Sequence, residues 1–154
     1  MRPRRIDREP PSRTPKVRDG DSAGHLRFVR TLPCVASVAC GGQLGGPAGG
    51  EAHHLQGHAV GHGIGRRAED RWTIPVSRAV HAWLHVPTPH VPDHGPASPH
   101  DRLRMLGFDP ITLATELWKH TGDEEKALRA LYRVAFNSAP AETRMLLRRL
   151  GVVP

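Results

Sequence analysis

Two breaks divide this chain and limit what it can fold into. Residues 41–50 (GGQLGGPAGG) hold six glycines in ten positions, and residues 86–100 (VPTPHVPDHGPASPH) hold five prolines. Ordering the first stretch in regular structure would carry too high an entropic cost, and the second lacks the amide donors a helix or inner strand requires. Any folded unit has to be assembled from the short segments between these breaks. A third stretch, residues 1–19, carries seven Lys/Arg, three Asp/Glu and four prolines with almost no apolar side chains. It contributes +4 of the chain's formal +7 and is expected to be part of a disordered basic arm, residues 1–23. What remains suits one small domain within 154 residues.

Composition excludes several classes. Two cysteines cannot make a disulfide framework, and no apolar run is long enough for a signal peptide or a membrane span. A cytoplasmic location is therefore expected, with no membrane partner. Histidine is abundant instead, at 11 residues, and imidazole both ligates transition metals and moves protons near neutral pH.

Along the chain, HLRFVRTLPCVASVAC (25–40) is rich in β-branched and apolar residues and suggests one or two short strands. EAHHLQ suggests a strand running into a loop. Trp72 to Val76 suggests another strand, and Ser77 is placed to cap a helix whose apolar stripe is Val80, Trp83 and Leu84. The last third turns helical, with starts expected near Asp109–Pro110, Thr121–Asp123 and Pro140. Leu128, Leu131, Tyr132, Ala135 and Phe136 are spaced as one buried face.

Four histidines have spacing that needs an explanation. His81 and His85, four apart on the expected helix, share one face and can reach a single ion. His53 and His54 are adjacent on an extended segment, so their side chains point to opposite faces. His58, His62, His90, His94 and His100 lie in Gly/Pro-rich stretches and are expected to be solvated.

The order Glu-x-His-His, strand, His-x-x-x-His resembles the ββα-metal fold of the HNH endonucleases, including the colicin-type nucleases. More narrowly, HLRFVRTLPC, EAHHL, GIGRRAEDRWTIPVSRAVHAWLH and DPITLATELW are similar to a small HNH-like family of bacterial and phage proteins. The resemblance covers about residues 25 to 120. It implies an α+β fold with a ββα-metal core at 24–86, a Pro-rich loop at 87–100 and a helical extension at 101–154. It further implies a phage-related, metal-dependent endonuclease acting on DNA, with His53, His81 and His85 as metal ligands and His54 as general base.

The relatives' base-orienting Asn corresponds to Asp70 or Trp72, and only Asp70 has the chemistry for that role. Three imidazoles favour Zn²⁺, Mn²⁺ or Ni²⁺ over Mg²⁺ by ligand softness, and one divalent ion is expected. Relatives also hold a structural zinc with a Cys-x-x-Cys pair and a later Cys. Here Cys34 and Cys40 are the candidate ligands and Ser77 takes the later place, so small buried hydrophobes are the competing reading for both cysteines. Arg66, Arg67 and Arg71 are candidate phosphate contacts. The departures leave a non-catalytic DNA- or metal-binding module as the alternative function.

Overall fold

The computed structural model describes residues 20–42, 48–56, 60, 68–86 and 98–154. Most of the expected basic arm and of the Pro-rich loop lie outside these residues, as do Arg66 and Arg67.

The first described segment corrects the strand expectation for 25–40. It forms helix α1 (Ala23–Thr31) and the short helix α2 (Val35–Ala39). Ser22 caps α1 by accepting a hydrogen bond from the His25 amide at 3.1 Å. His25 and Val29, four apart, are its buried positions, and Leu32 continues the period just beyond it. The β-branched composition suggested strands, but the helical spacing of the buried residues and the cap decide the outcome. Pro33 separates the two helices.

Strand β1 (Glu51–His54) pairs antiparallel with β2 (Thr73–Val76), placing His53 opposite Ile74 and His54 opposite Thr73. The glycines ahead of β1 set its entry. Gly49 donates to the Leu32 carbonyl at 2.7 Å and Gly50 to that of Arg30 at 3.1 Å. A Cβ on Gly49 would meet the Val76 backbone at 3.0 Å, closer than nearly all real contacts, and Gly50 adopts φ +82°. A 3₁₀ turn, Asp70–Trp72, leads into β2. Helix α3 (Arg78–His85) follows, capped by Ser77, whose hydroxyl accepts from the Val80 amide at 3.2 Å. Both strands and α3 stand where the sequence places them.

The C-terminal part forms α4 (Pro99–Arg104), α5 (Pro110–Lys119), α6 (Glu124–Ala135) and α7 (Ala141–Arg149). The three expected starts hold. Helix α4 was not foreseen as an element: Pro99 occupies its first turn, where proline is tolerated, and Ser98 and Asp101 cap each other. On α6 the buried residues are Ala127, Ala130, Leu131 and Ala135, so the buried face is rotated from the one expected. Leu128 and Tyr132 are only partly buried, and Phe136 leaves the helix 52% exposed. Small alanines let α6 approach its neighbours closely, which the larger side chains at 128 and 132 would prevent.

The result is α+β: a two-stranded sheet with helices on it. One continuous core joins Leu32, Leu55, Ile74 and Leu84 to Leu103, Leu117, Leu131 and Leu147 from the C-terminal helices. No helix among the described residues is long and apolar enough to cross a membrane.

Candidate metal centre

Alternation along β1 turns His53 inward and leaves His54 on the other side. Helix α3 packs against β1 so that His81 and His85, one turn apart, face His53. The three rings stand 5.1 Å (53–81), 5.4 Å (53–85) and 5.1 Å (81–85) apart by centroid. One nitrogen from each lies within 4.8 Å of the other two, and among the described residues this is the one group of three or more metal-type side chains that meets that condition. On a tetrahedral ion, two nitrogens each about 2.1 Å from it are about 3.4 Å apart. A pair at the upper limit therefore has to draw in by about 1.4 Å to share an ion.

Polar satisfaction distinguishes the three. His81 Nδ1 donates to Glu51 Oε2 at 2.5 Å, so Nε2 is the nitrogen left for a ligand. A carboxylate behind a ligating imidazole is the usual support for a metal-binding histidine. His53 is 1% exposed, yet neither of its nitrogens has a hydrogen-bond partner. Leaving a buried polar atom unpaired costs about 1–3 kcal/mol. Burial, followed by the neighbouring His81 and His85, lowers the His53 pKa to about 3. Burial and then His81 and Arg102 also lower that of His85. Both shifts favour the neutral imidazole that ligation requires.

On the opposite side of β1, His54 Nε2 donates to Asp70 Oδ1 at 2.9 Å. Asp70 is buried, and its other oxygen accepts from the Ser22 amide at 3.0 Å. The 3₁₀ turn therefore supplies Asp70 rather than Trp72, whose carbonyl instead accepts from Leu55 N at 2.8 Å. With Nε2 protonated, Nδ1 is the basic atom of His54, and its side chain is 24% exposed.

Two functional candidates were missed in the sequence. Glu51 pairs with His81, and their separation of 30 positions along the chain hides the pairing. His25 is fully buried against the edge of Trp118, and its Nδ1 pairs with Thr121 Oγ1 at 2.7 Å. Burial, partly opposed by Asp70, lowers its pKa to about 4.

Cys34 and Cys40 are the buried, unbonded caps at the two ends of α2. Burial raises the Cys40 pKa, with Arg148 acting the other way. Both border an apolar cavity with Ser77, and no third metal-type ligand joins them among the described residues. Arg71 pairs with Glu69 at 2.6 Å.

No curated protein and no solved structure matches the chain. A family model described as "Protein of unknown function (DUF968)" matches residues 2–92, which include the sheet, helix α3 and all four histidines of the site. On that match, spanning more than half of the sequence, the chain belongs to the DUF968 family.

Proposed function

We propose that the protein is a metal-dependent, HNH-type endonuclease that hydrolyses DNA phosphodiester bonds, with β1, β2 and α3 as its ββα-metal core. The observation that carries this reading is His53: a fully buried imidazole with both nitrogens unpaired, facing two further imidazoles. An ion held by His53, His81 and His85 would relieve at least one of those unpaired atoms. When bound, it would supply electrostatic stabilisation to a phosphoryl group and its departing oxygen. A set of three imidazoles suits Zn²⁺, Mn²⁺ or Ni²⁺ better than Mg²⁺.

His54 acts as general base. Its Nδ1 takes a proton from water as the water oxygen bonds to phosphorus and the bond from phosphorus to the 3′ oxygen breaks. Asp70 holds the ring through Nε2, fixes the tautomer and stabilises the imidazolium formed. Ser22 N fixes Asp70 in turn, so the base is oriented by groups 16 and then 48 positions apart in sequence.

The test is incubation of purified protein with supercoiled plasmid and Mn²⁺, Ni²⁺, Zn²⁺ or Mg²⁺, beside an EDTA control. Metal-dependent nicking, abolished by EDTA, is expected. No nicking with any ion, together with salt-dependent DNA binding, would replace this reading by a non-catalytic module.

A further inference from the structure

Helix α3 carries two of the three ligands but is only eight residues long. Short helices are marginal by themselves and fray from their ends. His85 is its last residue, and Pro87 follows shortly, so helical bonding cannot continue past it. A ligand in that position needs external support.

That support comes from α4. Arg102 is 4% exposed, although guanidinium groups are rarely buried. One of its nitrogens donates to the Trp83 carbonyl and another to the Val86 carbonyl at 2.6 Å, while its plane lies over the Trp83 ring, 5.7 Å from the centroid. The two carbonyls bracket His85. Both lie at the C-terminal end of α3, where the Trp83 carbonyl also accepts from the Val86 amide at 3.4 Å and a cation is favoured by the helix dipole. Reciprocal capping between Ser98 and Asp101 sets the start of α4, which aims Arg102 at α3.

We propose that Arg102 is a positioning residue of the His53–His81–His85 centre: its guanidinium fork pins the backbone on both sides of His85 and pre-orders that ligand. The inference rests on the metal-centre reading above. It also assigns a part in the site to a residue beyond the family match, which ends at residue 92. Two effects of Arg102 oppose each other. Its positive charge repels a nearby dication, whereas its hydrogen bonds remove the entropic cost of ordering the last turn. The proposal requires the second to dominate, so its loss weakens ion binding.

The experiment is titration of the full chain with Co²⁺, followed by d–d absorption, for wild type, Arg102→Met, Arg102→Lys and a core control, Leu131→Ala. Arg102→Met keeps an apolar stem over Trp83 and loses both donors. It should bind Co²⁺ about 10- to 100-fold more weakly, the range found for lost supports of metal ligands. Arg102→Lys retains the charge but brings one point donor instead of a fork, and should fall in between. Leu131→Ala, remote in the core of α6, should lower the melting temperature with little change in Co²⁺ affinity. Affinity in Arg102→Met equal to or tighter than wild type, or reduced only as much as in Leu131→Ala, overturns the inference while leaving the metal centre standing. Wild type that binds no Co²⁺ overturns both. If Arg102→Met fails to fold, Arg102→Lys against wild type decides by the same criterion.

Discussion

The sheet with α3 and the C-terminal helices satisfy their polar groups in opposite ways. In the C-terminal helices the solutions are mostly local. Asp109 caps through Thr112, Asp123 through Lys126 and Ser98 through Asp101, each three positions apart, while Glu125 pairs with Arg129 one turn on. Around the sheet they are long-range: His54 to Asp70, His81 to Glu51 and Ser22 to Asp70 span 16, 30 and 48 positions. There, too, His53 is left buried and unpaired. Local satisfaction makes helices. Polar groups brought together from distant positions and left incompletely paired occur at His25 Nε2 as well as at His53, and for His53 the proposed ion would supply a partner.

This contrast can be broken or sharpened by substitution. The largest effect is expected at the base. His54→Ala should reduce plasmid nicking about 10²- to 10⁴-fold with Co²⁺ affinity preserved, and retained nicking would remove His54 from the mechanism. Glu51→Gln comes next. Without a carboxylate behind His81, metal affinity should fall about 10- to 100-fold, which isothermal titration with Zn²⁺ can measure; unchanged affinity would mean that Glu51 is only a surface partner.

A third prediction concerns His25, whose folded pKa of about 4 lies below its ordinary 6.5. Between these values the unfolded chain binds the extra proton, so stability is fully present above pH 6.5 and declines as pH falls toward 4. The slope from this one group is at most about 1.4 kcal/mol per pH unit. Urea midpoints from pH 7.5 to 4.5 should show a component that disappears in His25→Gln, and an identical profile in that variant would contradict the assignment. The smallest effect belongs to the local class: Glu125→Ala, which removes an exposed ion pair with Arg129, should change stability by no more than about 0.5 kcal/mol. A loss above 1 kcal/mol in thermal unfolding would blur the distinction between the two regions.

The same distinction explains what was legible in the sequence. The starts of α5, α6 and α7 were visible because Asp109, Asp123 and Pro140 act on residues beside them. So was α3, with Ser77 before a periodic stripe. Helix α1 was missed because its period rests on a buried histidine, His25, whose partners Trp118 and Thr121 come from more than ninety positions away. The orientation of α6 was missed because alanine spacing, not bulk, decides which face packs. Of the site, the four histidines were found from spacing alone or with the family resemblance, and Asp70 was one of two options. Glu51 and Arg102 were not foreseen, since a carboxylate or a guanidinium acting across 30 or 16 positions leaves no local pattern.

The central claim is that His53, His81 and His85 hold one ion. X-ray absorption at the metal edge of Co²⁺- or Zn²⁺-loaded protein tests it most directly. The account predicts one ion per chain with three imidazole nitrogens at about 2.0 to 2.1 Å, and loss of that signature in His53→Ala. An ion bound with the same spectrum in His53→Ala, or none retained by the wild type, would contradict it.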